Sequence, residues 1–330
     1  MAVNLNAHHL TNWIPIRIYW SDHRPSVDWC WIGTRRFSEP FLDQTIDVAL
    51  RLPFSTLFRP QTPMEMLGER YSIDRGLQPR GMIFHMSRCG STLMSQMLAA
   101  LSTSVVISEA GSIDSVLRSK FIEPGVTDQI RIEWLRWLVS ALSQRRIGNE
   151  QHLFIKFDSW ATLDLPVINT AFPGVPWVFL YRNPVDVLVS QLAKRGAHMI
   201  PGAIEPALFG MTTAEVLEML PEEYCARILA RICEAALDYY EICPGLMVNY
   251  EQMPDVVWIT LADNFGIEIS GAEMESVRRV TAINAKNPRL MFENDSERKR
   301  NKATKEIQAA AERWLWPVFE RLEAARLAGT

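Results

Sequence analysis

From Gly81 onward the chain repeats one order: a short unbroken apolar run, a polar turn, then apolar positions three and four residues apart. Gly81 to His85 predicts a strand, and Leu93, Met94, Met97, Leu98 and Leu101 share one face of the helix that follows. Val105 to Ile107, Leu153 to Phe157 and Trp177 to Tyr181 predict three more strands. A helix is expected over roughly Thr127 to Gln144, with Trp134, Leu135, Leu138 and Leu142 on its apolar face. After the last of these strands, Asn183 as N-cap and Pro184 in the first turn open another helix, with Val185, Leu188, Val189 and Leu192 on one side. Residues 214 to 243 and 303 to 325 read as mostly helical, and Pro317 is expected to kink or break the second stretch. Uninterrupted apolar strands alternating with helices predict an α/β fold of three layers, a central parallel sheet flanked by helices.

Residues 1 to 78 differ. They are rich in Trp, Pro and Arg and predict short strands or loops with one helix near Phe41 to Leu52. This stretch is expected to be an extension packed on a main domain spanning 79–330. Its Trp20, Trp29, Trp31, Arg35 and Arg36 are candidates for one wall of a substrate pocket, although core packing is the commoner use of such tryptophans.

Composition narrows the function. The 330 residues are 48% hydrophobic and 22% charged, with net charge −4. A general nucleic-acid binder would carry an excess of basic charge, so any anion site must be local. Five cysteines, an odd number without CxxC or Cys/His spacing, predict reduced thiols in a cytoplasmic protein and no zinc site. His8 and His9 read as solvated rather than as a metal site. The N-terminus lacks the basic and apolar regions of a signal peptide, and no run of ~18 apolar residues predicts a membrane span. The number of subunits is left open.

In a parallel sheet of this kind, ligands sit at the carboxyl ends of the strands. Three stretches fall there: His85 to Thr92, Lys156 to Trp160 and Arg182 to Pro184. The first is a loop entering a helix, where unpaired N–H groups and the positive dipole end suit a phosphate. Gly90 permits close backbone approach, Ser91 and Thr92 bring hydroxyl donors, and Arg88 brings a permanently charged fork. Aligned with the G-x-x-x-x-G-K-[ST] motif, the chain has His85 for the first glycine and Ser91 for the lysine, which argues against nucleoside triphosphate hydrolysis. At the third stretch, Arg182 closes a strand and Ser190 lies eight positions later on the next helix, a second anion-suited element.

Together the two loops resemble the signature loops of the sulfotransferases that use 3′-phosphoadenosine-5′-phosphosulfate (PAPS). Ser87-Arg88-Cys89-Gly90-Ser91-Thr92 is similar to the loop that binds the 5′-phosphosulfate, with Ser87 in place of the usual proline and Cys89 in place of a small hydroxyl residue. The segment from Arg182 to Ser190, RNPVDVLVS, matches in full the pattern that binds the 3′-phosphate. The resemblance covers about residues 80–195. It implies a P-loop-like fold, PAPS as donor, 3′,5′-bisphosphoadenosine as product and no metal. It also implies that Arg88 stabilises charge developing on the bridging oxygen. The acceptor would be a small molecule or carbohydrate bearing a hydroxyl or amine, and no nucleic acid or membrane partner is implied.

Family members place a general base at one of two positions, and both hold a carboxylate in this chain. Lys156-Phe157-Asp158 stands where many have Lys-Thr-His, so Lys156 would help hold the sulfuryl group and Asp158 would stand at the base position. Asp158 reads equally as a helix N-cap or a partner of Lys156. Glu109, in Ser108-Glu109-Ala110, stands where some carbohydrate-modifying members use glutamate, and it is the slightly favoured base. The basic run Arg298, Lys299, Arg300, Lys302 and Lys305 ordinarily reads as a solvated helix start. The resemblance implies instead a segment closing over the 3′-phosphate, with Ser296, Lys299 and Arg300 as its candidate contacts. The competing readings are a nucleotide-dependent kinase, disfavoured by the missing lysine, and a nucleotide-binding protein without catalysis, disfavoured by the pairing of Arg88 with Lys156.

Overall fold

The computed structural model describes residues 7–291 and 296–329, with the side chains of 287–289 and 296 outside that description. The chain begins with an antiparallel sheet of β1 (Trp13–Ser21), β2 (Arg24–Trp31) and β3 (Gln61–Pro63). Then follow the strands β4 (Pro79–His85), β5 (Ser104–Ser108), β6 (His152–Lys156), β7 (Trp177–Tyr181) and β8 (Leu246–Asn249). They form one sheet in the order β5-β6-β4-β7-β8, with every neighbouring pair parallel. Helices flank it, so the expected α/β architecture is the observed one. The four expected strands are β4 to β7. The edge strand β8 was not expected, because Leu246 to Asn249 is a short run straight after a helix of 20 residues, Pro221–Tyr240.

A parallel sheet needs apolar side chains on both faces, and β5 and β7 are buried along their whole length. Phe84 of β4 stacks on Phe157, with ring centroids 4.9 Å apart and planes at 6°. The order of strands puts the ends of β5, β6, β4 and β7 side by side, and these ends carry Glu109, Lys156, the loop after His85 and Arg182.

The first 78 residues share this core. Val27, Trp29, Leu42 and Leu67 belong to the same buried cluster as the central strands. β1 lies against the helices Gly111–Ile122 and Asp128–Leu142, and the helix Glu65–Ile73 packs on the latter. The helix expected near Phe41 to Leu52 runs from Leu42 to Leu50. At the other end, Pro317 has no N–H for the carbonyl of Arg313, and a π-type segment, Ala311–Leu315, precedes the helix Trp316–Ala328. The chain therefore absorbs the proline as a local bulge rather than a break. Two short strands, β9 (Ile283–Asn284) and β10 (Asn287–Met291), form a separate hairpin. Among the described residues no helix is long and apolar enough to cross a membrane.

Candidate active site

The loop between β4 and the helix Ser91–Ala99 is held in an unusual backbone path. Ser87 (φ 73°), Arg88 (φ 52°) and Gly90 (φ 92°) all lie in the left-handed region. For a non-glycine residue this conformation costs ~1–2 kcal/mol, and such strain collects where a loop must aim its N–H groups. Gly90 is required twice over. Besides its φ, a Cβ there would come within 2.7 Å of the Tyr250 ring. Tyr250 directly follows β8, so the unexpected edge strand closes the loop from one side.

Two cavities meet at this loop. The first, of about 260 Å³, is bounded by Arg88 to Leu93, excluding Cys89, and by Arg182, Ser190, Tyr250, the hairpin residues 283–286 and Lys299. The second, of about 280 Å³, lies on the other side of Arg88, Ser91 and Thr92, and is walled by Ser87, Glu109, Asp158, Trp160, His198 and Phe41 among others. The strand-end residues expected from sequence are therefore brought together around two adjoining chambers, except Lys156, whose buried side chain lines neither.

The first chamber is the more basic. Arg182 is buried, and its guanidinium lies 4.2 Å from the centre of the Tyr250 ring. It also pairs with Asp186 one turn on, at 3.1 Å. The other oxygen of Asp186 accepts from Arg300 Nε at 3.3 Å. The late basic segment therefore does come to the strand end, with Lys299 in the cavity wall and Arg300 tied to Asp186. Ser296 opens the helix Ser296–Arg300, and its side chain lies outside the described residues. Asn183 caps its helix as expected, accepting from the backbone N–H groups of Val185 and Asp186.

Cys89 is the exception in the loop. Its side chain is fully buried and its thiol donates to the carbonyl of Leu180 at 3.1 Å. Burial pushes the thiol up to about 12, so it is neither a thiolate nor a wall of either cavity. It pins the loop to β7, and only its backbone can face an anion. Ser87 is engaged locally as well. Its hydroxyl accepts from Gln191 Nε2 at 2.8 Å, and Gln191 Oε1 accepts from the Gly196 N–H at 3.3 Å. The fully buried Gln191 thus ties the β4 loop to the helix Pro184–Ala193 and the turn after it. Arg88 reaches the same turn, donating to the carbonyl of Lys194.

The second chamber holds the two carboxylates, in opposite settings. Glu109, itself at φ 49°, accepts from Lys156 Nζ and lies 3.3 Å from His85 Nε2. Burial would raise its pKa, but the Lys156 charge and His85 outweigh that and hold it well below the usual carboxylate range. Asp158 sits at the N-cap position of the short helix Ser159–Asp164, yet its side chain makes no capping hydrogen bond. Burial, then the negative charges of Glu109 and Asp114, push it well above the usual range. Of the two alternatives for Asp158, the cap is therefore not realised, and the ion-pair partner of Lys156 is Glu109.

Two histidines complete this chamber, and neither was singled out from sequence. The backbone N–H of Ser87 donates to His85 Nδ1 at 3.0 Å, which leaves the proton of the neutral ring on Nε2, facing Glu109. His198 is buried against Trp160, with ring centroids 5.0 Å apart, and burial holds its pKa down to about 3. His85 stands directly before the loop, so its strand-end position was the one available signal. His198 carries none, because its turn reaches the site only through the fold. Phe41 is the contribution of the N-terminal extension, with Lys156 Nζ 5.0 Å from its ring centre. Trp20, Trp29, Trp31, Arg35 and Arg36 line neither cavity; Trp29 is core and its Nε1 donates to Thr62.

No protein-family model matches the chain, and no curated protein matches it. Solved structures do. The sulfotransferase domain from the curacin biosynthetic pathway is 14% identical, with 72% of this chain and 98% of that one covered and a TM-score of 0.44. A sulfotransferase from Mycobacterium avium is 12% identical over 76% and 77% of the two chains, with a TM-score of 0.44. The sulfotransferase domain of the Synechococcus PCC 7002 olefin synthase is 16% identical over 78% and 96%, with a TM-score of 0.43.

Proposed function

We propose that the protein is a sulfotransferase that takes its sulfuryl group from PAPS and passes it to a hydroxyl or amine of a small molecule or carbohydrate. The observation that carries this reading is the pair of linked cavities, one lined by cations at two strand ends and the other by carboxylates, with the Arg88 loop between them. Arg182 and Ser190, with Lys299 beside them, would hold the 3′-phosphate. The N–H groups around Gly90 and the hydroxyls of Ser91 and Thr92 would hold the phosphosulfate, and the bend at Gly90 supports a close anion because nothing larger fits under Tyr250. Arg88, which stands in the walls of both cavities, would neutralise charge at the transferring group.

The base in this reading is Asp158. Sequence alone slightly favours Glu109, but a carboxylate locked to a buried lysine binds protons too weakly to take one from an acceptor. A carboxyl whose pKa burial has raised holds a proton more strongly and is the better general base of the two. Glu109 then serves as the counter-ion that fixes Lys156.

Calorimetry tests the reading without knowledge of the acceptor. The 3′,5′-bisphosphate should bind more tightly than 5′-AMP by ~2–5 kcal/mol, the worth of a charge-assisted contact to a buried arginine. Arg182→Ala should abolish that difference. Equal affinity of the unaltered protein for the two nucleotides, or a preference for ATP or GTP, would overturn the reading.

A further inference from the structure

Four residues stand in the walls of both cavities: Arg88, Ser91, Thr92 and Lys286. The first three belong to the anion loop. Lys286 comes from the turn between β9 and β10, in a stretch that no motif marks. We propose that Lys286 is a catalytic residue whose ammonium meets the sulfuryl group as it crosses from the donor cavity to the acceptor cavity. The inference rests on the sulfotransferase reading above.

A side chain in one cavity wall alone meets either donor or acceptor. A side chain at the junction meets the group in transit, where stabilisation lowers the barrier rather than only tightening binding. Transfer breaks the S–O bond to the nucleotide phosphate and forms an S–O bond to the acceptor; the acceptor proton passes to Asp158, and the electron pair leaves with the bisphosphate. Lys286 donates N–H to a non-bridging sulfuryl oxygen throughout, opposite the loop. Local structure holds it there. The Lys286 backbone N–H donates to Asn284 Oδ1 at 3.0 Å, which fixes the turn, and the Phe41 ring lies 5.9 Å from Nζ. Lys156, under the same ring, is locked to Glu109. Among the described residues no carboxylate reaches ion-pair distance of Lys286, so its donors stay available. Desolvation and the charge of Arg88 push its pKa down to about 8, although the residue is exposed and water screens part of that effect. It is still largely an ammonium at neutral pH.

The test compares PAPS with its product, using water as acceptor. In Lys286→Met, affinity for the 3′,5′-bisphosphate should stay within roughly threefold of wild type, while conversion of PAPS to the bisphosphate falls ~10²–10³-fold, the usual cost of one lost donor to developing charge. Lys286→Arg should recover much of the rate. The lysine is a surface residue on a hairpin, so folding should be unaffected. A Lys286→Met protein with wild-type turnover and normal bisphosphate binding would overturn this inference and leave the sulfotransferase reading standing. Loss of bisphosphate affinity in the variant would overturn it as well, by making Lys286 a nucleotide-holding residue. A wild-type protein that binds no bisphosphate would remove both.

Discussion

The ammonium of Lys156 and the carboxylate of Glu109 meet at the ends of neighbouring strands, and the backbone N–H of Glu109 donates to the carbonyl of Lys156 as well. The ammonium is fully buried. Removing one member of such a pair strands the other's charge, at a cost of ~3–5 kcal/mol. Glu109→Gln should therefore lower the melting temperature strongly, and adding Lys156→Met should restore part of the loss. If Glu109→Gln melts like the wild type, the pair does not act as a structural unit.

Asp158 should behave differently. Its folded pKa is raised, so the rate of transfer should climb with pH through a limb lying above the ordinary carboxylate range. Asp158→Asn should remove that limb and slow transfer ~10²–10⁴-fold. The same raised pKa means the folded state holds a proton that the unfolded state releases, so stability falls as pH rises through it. The asparagine variant escapes that fall and should be at least as stable as wild type at neutral pH. An active Asp158→Asn protein would exclude this residue as base.

The buried histidines give the fold a pH dependence of opposite sign. His198 is held down to about 3, while an unfolded histidine titrates near ~6.5. Between those values the unfolded chain binds the extra proton, so stability is complete above the unfolded pKa and is lost as pH falls below it, by up to roughly 1.4 kcal/mol per pH unit. Thermal melts at pH 7.5 and 5.5 should show the drop, and His198→Gln should reduce it. Some slope should survive in that variant, because burial lowers the pKa of His85 too. Equal slopes for variant and wild type would show that His198 titrates alike in the folded and unfolded states.

Cys89 separates a contact with the ligand from a contact with the fold. Cys89→Ala should destabilise the protein by about 1–2 kcal/mol, through lost packing and the lost bond to Leu180. Affinity for the bisphosphate should be nearly unchanged. Tight coupling of affinity to this thiol would place its side chain in the donor cavity, against the geometry found.

The two stretches proposed to hold anions were legible as candidates in sequence because each is local. A strand, its turn and the next helix lie within a dozen residues, and the chemistry sits in the turn. Which way a loop residue faces was not legible, and so Cys89 stood beside Ser91 as an equal candidate. Phe41, His198, Lys286 and Tyr250 arrive from four separate stretches, and each alone looks like an ordinary core or surface residue. β8 was missed for a related reason: three apolar residues and an asparagine do not distinguish an edge strand from a short connection. The choice between Glu109 and Asp158 turned on neighbours that only the sheet order supplies.

Asp186 lies buried with Arg182 on one oxygen and Arg300 on the other. Before any ligand arrives, the protein already supplies an anion of its own to both guanidiniums. For an incoming phosphate this works in two directions. The arginines are aimed and need little reordering, yet part of their charge is already answered. If a nucleotide held there as proposed departs, the buried guanidinium of Arg182 is not left bare, because the internal carboxylate stays in place. Departure becomes a change of partners instead of a loss of one. In enzymes whose pace is set by how fast product escapes, that single aspartate would act on the turnover number without touching the reacting atoms.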